Sequence, residues 1–506
     1  MTPSRNVEDL KTSESATPLI IRLIQNHYTA APPIKDQEQI SREEWVFPGL
    51  RFNRYMCMPS AFIIQFCCGS LYSWSVFNKP IDNLIYGSIV NMAPITFYIA
   101  VGLLGFSAAI MGPWLEREGP RKASILGGFL FCAGNLITAL ALYLKQMWLI
   151  YLGYGVIAGY GIGICYISPV SALQKWFPDH RGLASGIAVS GFGAGAIVSA
   201  KLEVALIQHT GLPTTFLIMG LGYFVLIFIS GLVLRTPPPG FSPASLNDTS
   251  LDSEMHQVEM GKTVEDDESA EKSNSKKLDD DDDKKEWTLL EALVSTDFRL
   301  MYVMFFSNIL FGLVAISRLS NMITDIFGKS AEHASTVVAI NGGFNLSGRI
   351  FFSLLSDYVG RKNAYVLMLT CQLIILASFY FITTGGSTTY WLFLMCMWII
   401  ASCYGGGFGS IPAFLTDKFG QYNIGACHGV ILTAWSLAGI VGGIVFTSVF
   451  KATSEDRDIS DPFPYNVNVW WMLGIVMVGW TALLFVKPTE RDRKVYKMLG
   501  RFFPKK

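Results

Sequence analysis

The sequence predicts an all-α membrane protein of twelve transmembrane helices arranged as two pseudo-symmetric six-helix bundles. Three observations predict it. Of the 506 residues 51% are hydrophobic, and they gather in runs of roughly twenty, the length a helix needs to cross a bilayer. The runs come as six, a polar break, and six more. Features of the first six recur in the second at offsets of 240 to 243 positions.

The spans fall near 56–78, 91–113, 122–144, 147–172, 182–206 and 213–235, then near 299–321, 332–355, 363–384, 390–414, 426–450 and 467–486. This divides the chain into a polar tail (1–50), a first bundle (51–235), an acidic linker (236–298), a second bundle (299–487) and a basic tail (488–506). No basic stretch leads into a short apolar core and a cleavage site, so the first tail reads as retained. Residues 236–286 carry 15 acidic against 6 basic residues and few apolar ones, which predicts a disordered connection. The sequon at Asn247 lies within it and would be modified only on a lumenal face.

Glycines mark the helix faces that approach closely. Gly155, Gly159 and Gly163 recur every fourth residue, Gly182 and Gly186 open the fifth span, and Gly191, Gly193 and Gly195 cluster within it. Close backbone packing accounts for all of them. Orientation follows from charge. Arg117, Arg121, Lys122, Lys175, Arg181, Arg361 and Lys362 sit in short loops on one side with the basic tail, so both termini and the linker are expected in the cytosol. Lys79, Lys145, Lys201, Lys329 and Lys451 on the other side temper that bias. A plasma membrane is favoured over an organelle membrane.

Composition also excludes classes of function. Nine cysteines lie almost entirely inside apolar runs with no CxxC pair, and six histidines form no ligand set, so neither disulfides nor a metal is expected. No phosphate-binding GxxxxGK[ST] loop is present, which argues against direct ATP coupling. No cofactor and no enzymatic activity are expected. The expected partner at this level is the lipid bilayer, with no nucleic acid and a monomeric chain.

One charge stands out. Arg349 interrupts an apolar run, and a cation in mid-helix costs about 2.5–3.5 kcal/mol on insertion scales, so it should face a cavity or a partner. Two plainer outcomes compete: snorkelling toward the basic loops, or pairing with Asp357 two turns away, roughly 12 Å along the helix.

The loops carry a resemblance. "GPWLEREGPRK" (112–122) and "SLLSDYVGRK" (353–362) resemble the loop signature of major facilitators. "YSWSVF" (72–77), "YISPVSALQKWFPDHRGLASG" (166–186) and "FGQYNIGACHG" (419–429) resemble the oxalate/formate antiporter family, and the likeness runs from the first span to the twelfth. It implies two six-helix bundles around a midplane site. It further implies that Glu116 and Asp357, with Arg121 and Arg361 of the same signature, brace helix N-termini across the bundle interface when the cytosolic side is closed, which suits carboxylates. Glu116 stands where an aspartate is usual.

The resemblance also makes Arg349 the group that binds a substrate carboxylate, and Tyr72, Tyr166, Phe192, Tyr404, Phe408 and Trp435 the lining of its cavity. Trp435 replaces a second cation, Leu71 a glutamine, and Phe192 and Phe408 tyrosines, so the cage is singly charged. Asn345, one turn before Arg349, stands where animal monocarboxylate transporters carry an aspartate, and an amide takes up no proton. Arg318, near an outer helix end, is expected to snorkel. His428, at the cytosolic mouth, is expected to be solvated. The reading is a secondary transporter for a small monocarboxylate such as pyruvate, lactate or formate. The alternatives are an oxalate or other dicarboxylate/formate exchanger and a non-transporting metabolite sensor.

Overall fold

The computed structural model describes residues 26–28, 35–88, 90, 92–243, 287–455, 457–458 and 460–502. Among them are twelve helices of membrane-spanning length. The first, α1, is broken: Cys57–Gly69 gives way to a tight 3-10 turn at Ser70–Ser73, and the chain continues as Ser75–Tyr86. Helices α2 to α6 are Ala93–Glu118, Pro120–Tyr143, Met147–Trp176, Arg181–Thr210 and Leu212–Val233. Helices α7 to α12 are Thr296–Asp325, Ala331–Val359, Arg361–Thr384, Tyr390–Phe419, Ile424–Ser454 and Phe463–Phe485.

Eleven of these are apolar enough to cross a membrane. The twelfth, α8, matches them in length at 29 residues, but Asn341, Asn345, Arg349 and Asp357 dilute its apolar character. Its polar side chains are the ones that build the site described below.

The halves pack through α5 against α8 and α2 against α11. Small residues permit both contacts. A Cβ at Gly182 would overlap the Ser353 carbonyl oxygen of α8, and one at Gly429 would overlap the Ala108 carbonyl of α2. Within each half another glycine seats a cage residue. Gly69 lies under the Phe192 backbone, and a Cβ at Gly312 would fall 2.5 Å from Cβ of Tyr404. The two stand 243 positions apart, so the duplication preserves this packing device.

The ends of the chain hold more structure than the sequence reading expected. Gln37–Glu43 forms a helix capped by Asp36, and Trp45–Phe47 pairs antiparallel with Leu50–Arg51. Tyr28 donates a hydrogen bond of 3.1 Å to the Ala109 carbonyl, the group that Pro113 cannot serve because it lacks an N–H. The stretch assigned to the end of the linker contains the helix Leu289–Val294, closed by a reciprocal Thr288/Glu291 capping box. The basic tail forms the helix Glu490–Phe502. Local capping chemistry, weaker than hydropathy as a signal, built these pieces. Residues 244–286 of the acidic linker, with the Asn247 sequon, and most of the first tail lie outside the described residues.

Gly69→Ala is expected to destabilise the fold by about 1–3 kcal/mol or more, since the Phe192 carbonyl belongs to a helix backbone and cannot step aside. Gly222→Ala, with nothing within 4 Å of the new methyl, should hold or raise stability. Thermal unfolding of the purified variants in one detergent compares them.

Candidate functional site

The six aromatic cage residues named from the sequence converge from five helices. Tyr72 sits in the turn that breaks α1, Tyr166 on α4, Phe192 on α5, Tyr404 and Phe408 on α10, and Trp435 on α11. The Tyr72 ring meets Phe192 edge-on at 4.9 Å and Trp435 at 6.0 Å. Phe408 lies 5.8 Å from Trp435 and 5.2 Å from Tyr404. The halves touch here through hydroxyls: Tyr72 and Tyr404 share a hydrogen bond of 2.8 Å, and the Trp435 indole N–H donates to the Tyr404 oxygen at 3.2 Å.

Arg349 enters this ring system from α8 and is 1% exposed. Its backbone runs through a narrow slot: a Cβ at Gly409 of α10 would overlap the Arg349 carbonyl, and one at Gly186 of α5 would come within 2.9 Å of it. The guanidinium lies 5.7 Å from the Phe192 ring centre and 5.3 Å from that of Phe408, within cation–π range. Its Nε donates to the Asn345 side-chain oxygen at 3.1 Å, and one terminal nitrogen donates to the Val189 carbonyl at 3.0 Å. No carboxylate of the described residues pairs with it. Asp357 does not, because it is engaged elsewhere, and snorkelling does not occur. Asn345 thus positions the guanidinium and passes its own amide on to the Ala401 carbonyl at 3.4 Å. The Tyr166 hydroxyl is buried without a hydrogen-bond partner.

A second constellation closes the end that bears the basic loops. Asp357, at the end of α8, accepts from the backbone N–H of Gly182 at 3.2 Å and Leu183 at 3.0 Å, the exposed first turn of α5. Glu116, at the end of α2, accepts from the Gly425 N–H of α11 at 2.6 Å. Each carboxylate therefore caps a helix of the opposite half, where the dipole favours it. Glu116 also pairs with Lys175 and accepts from the Ser171 hydroxyl at 3.2 Å. Arg361 pairs with Asp357 at 2.8 Å and with Asp417 at 2.7 Å, and Arg181 crosses from α5 to Asp417 at 2.7 Å. Arg491 of the C-terminal helix approaches Asp357 and Asp417, both at 3.5 Å. Arg121 does not join; it lies partly exposed, and its like charge adds to burial, the larger cause, in lowering the Arg235 pKa.

In the loop before α5, Asp179 is raised by burial but lowered more by hydrogen bonds and charge from Arg54, 3.0 Å away, so its carboxyl sits below the ordinary range. The stability this lends is complete above the ordinary carboxylate range and fades as pH falls through the depressed value.

The arrangement is that of a solute carrier caught with one side closed, and the sequence agrees: the model of the Major Facilitator Superfamily matches residues 60–443. The chain belongs to the major facilitator superfamily. Among its relatives, this facilitator is 25% identical over 401 residues to the oxalate:formate antiporter of Oxalobacter formigenes, covering 78% of this chain and 84% of that one. It is 23% identical over 387 residues to apicoplast pyruvate carrier 1 of Toxoplasma gondii, covering 68% and 67%. The proton:xylose symporter XylE shares the fold with a TM-score of 0.59 at 13% identity, over 88% of this chain and 98% of that one.

Sequence reasoning about this facilitator missed Asp417, which holds two arginines; its "TDKFG" follows the same helix-end pattern as "QKWFPDHRG" in the other half. It also misjudged His428. That side chain is fully buried, 5.9 Å from the Tyr166 ring, with neither ring nitrogen partnered; α2 and α4 cover the mouth at which solvation was expected. Arg318 reaches the Thr447 hydroxyl at 2.9 Å and lies over the Phe446 ring, stacked rather than free in the interface.

The gate carries a prediction. Asp357→Asn removes a charged cap from α5 and should shift the population toward opening of the basic-loop end by about 1.4 kcal/mol or more, a factor of ten. The readout is Cys427, buried beside the other cap on α11. Its maleimide labelling should quicken about tenfold in Asp357→Asn and vanish in Cys427→Ser; an unchanged rate means that Asp357 does not hold the gate.

Proposed function

We propose that this facilitator is a secondary transporter that moves a small organic monocarboxylate, of the pyruvate, lactate or formate class, by alternating access. The observation that carries the reading is Arg349, a permanent cation buried in a membrane helix with no carboxylate beside it among the described residues. A buried charge without a partner costs several kcal/mol, and the guanidinium fork matches a carboxylate. The surrounding rings offer apolar faces for a short tail and a few hydroxyl and indole donors for the second oxygen.

The bundles 51–235 and 299–487 are the bodies that rock. On the positive-inside rule the closed end is cytosolic, with both termini on that side; a plasma membrane is favoured over an organelle membrane. The conformation described here is then closed on the cytosolic side. Inward opening requires Glu116 and Asp357 to release the helix ends they cap, which a bound anion at Arg349 makes worthwhile by removing its unpaired charge.

Oxalate exchanged for formate is the second reading, favoured by the name of the Oxalobacter relative. It asks for two fixed cations in a dry cavity, and the cage contains one. A metabolite sensor would use the same cage and bind without flux.

Counterflow of labelled pyruvate, lactate, formate and oxalate in proteoliposomes tests the reading. Arg349→Gln should weaken monocarboxylate binding to the purified protein by about a hundredfold or more, the loss of two charge-assisted hydrogen bonds. Arg349→Lys should recover only part of it, because a point charge replaces a fork. Near-normal affinity in Arg349→Gln removes the anchor from the mechanism.

Trp435 decides the preference. Wild type should favour pyruvate over oxalate as competitor against a labelled monocarboxylate. Trp435→Lys should reverse that order at the lower end of pH 5 to 8, where a lysine beside Arg349 holds its proton. Wild type preferring oxalate selects the second reading; an unchanged order in the variant takes residue 435 out of the site.

A further inference from the structure

Glu203 lies on α5 in the half opposite to Arg349 and takes no part in the cage or the gate. It is 2% exposed. One carboxyl oxygen receives the Ser73 hydroxyl at 2.7 Å, and the other is buried with no partner. The groups that face it are Ser73 and Ser70 from the broken turn of α1, Tyr154 from α4, Ser199 one turn earlier on α5, and Tyr223 from α6, which shares a hydrogen bond of 2.9 Å with Ser199. Cys67 and Cys68 of α1 border the same hydroxyls. None of these is a cation. Lys79 on α1 and Lys201 on α5 itself are exposed and make no ion pair with Glu203.

The hydrogen bonds do not suffice for a carboxylate. Ser73 has one proton and two acceptors, the Glu203 oxygen and the Ser70 carbonyl at 2.6 Å. With Glu203 ionised, that proton is shared and the second oxygen has no donor. With Glu203 protonated, its O–H donates to the Ser73 oxygen while Ser73 donates to the Ser70 carbonyl, and each donor has one acceptor. Ser73 is also the neighbour of Tyr72 in the same turn, so the protonation state of Glu203 bears on the placement of a cage residue. Residues 151–158 of α4, which present Tyr154, are wound as a π-helix, a form that gathers at functional sites. Two residues past Ser73, a cleft of about 350 Å³ lined by Ser75, Asn78, Lys79 and Asp82 begins on the side away from the gate.

We propose that Glu203 is the proton-carrying site of this transporter: its carboxyl takes a proton from solvent when Arg349 takes a carboxylate, and returns it when the carboxylate leaves. This rests on the reading of Arg349 as the substrate anchor. The charge balance then closes in both directions. Loaded, the interior holds Arg349 paired with its anion and a neutral acid. Empty, it holds the Arg349 cation and the Glu203 carboxylate, again without net charge, so neither crossing moves an uncompensated charge through low dielectric. Net movement of one monocarboxylate with one proton follows, whereas exchange of two carboxylates needs no change at Glu203.

The test pairs spectroscopy with two transport modes on purified full-length protein. Infrared difference spectra of wild type between acid and alkaline pH should contain a protonated-carboxyl band that Glu203→Gln removes. Ser73→Ala, which takes away the one donor to the charged form, should move the titration of that band to higher pH. In proteoliposomes, Glu203→Gln, the image of the protonated acid, should keep counterflow of a labelled monocarboxylate and lose at least tenfold in net uptake driven by a proton gradient. A band that persists in Glu203→Gln, or proton-driven uptake at the wild-type rate in that variant, overturns the proposal. If wild type shows no counterflow of any monocarboxylate, the anchor reading fails, and the infrared titration still decides whether Glu203 binds a proton in this range.

Discussion

A guanidinium that cannot lose its charge, set in a helix surrounded by other helices, is the constraint around which the C-terminal half is organised. Arg349 is enclosed because α8 is pressed between glycine-bearing faces of α5 and α10. The aromatic rings then supply cation–π contact and Asn345 supplies an acceptor. These are neutral partners. They hold the group in place without cancelling its charge, which leaves a strong and unspent attraction for an anion of the right size. An acid in place of Asn345 would satisfy the arginine internally and remove that attraction.

The gate solves a different problem with the same materials. Helix ends expose N–H groups that no intrahelical carbonyl serves, and here the missing acceptors are supplied by side chains of the other half, Glu116 for α11 and Asp357 for α5. Because those acceptors belong to the partner bundle, the energy is available only while the end is closed. Asp417 adds a branch: Arg181 comes from one half, Arg361 and Arg491 from the other, and all three converge on it or its neighbour Asp357. The C-terminal helix is therefore tied to the state of the gate, a link that hydropathy and repeat matching do not reveal.

Much of this was legible in the sequence, for identifiable reasons. Spans announce themselves because a bilayer tolerates little but apolar helices, and the repeat fixed which loops correspond. The cage emerged residue by residue from a family likeness, since aromatic residues at helical spacing carry no label of their own. What stayed hidden depended on neighbours distant in the chain. Whether His428 is wet or dry is decided by α2 and α4; the break in α1 comes from serines that bond to preceding carbonyls, a local competition too weak to see in an apolar run. Glu203 was within reach: an acid inside a predicted span is a functional signal by itself, and Ser199 one turn away marks the same polar face.

The duplication clarifies what the two halves share and what they divide. Phe192 and Trp435 stand 243 positions apart, and Tyr166 and Phe408 stand 242 apart, so the aromatic walls are copies of one another and the cavity is built by symmetry. The charges are not copied. The positions of α2 that correspond to Arg349 fall at 106–109, in "FSAA", and the position of α11 that corresponds to Glu203 is Phe446. One half keeps a buried base and the other a buried acid, each without an ion-pair partner in the membrane among the described residues. Had both stood in the same half they would pair directly, with no energetic use for substrate or proton. Divided between the two halves, they are held apart by the fold, and on the proposed reading each finds its counter-charge in what the protein binds.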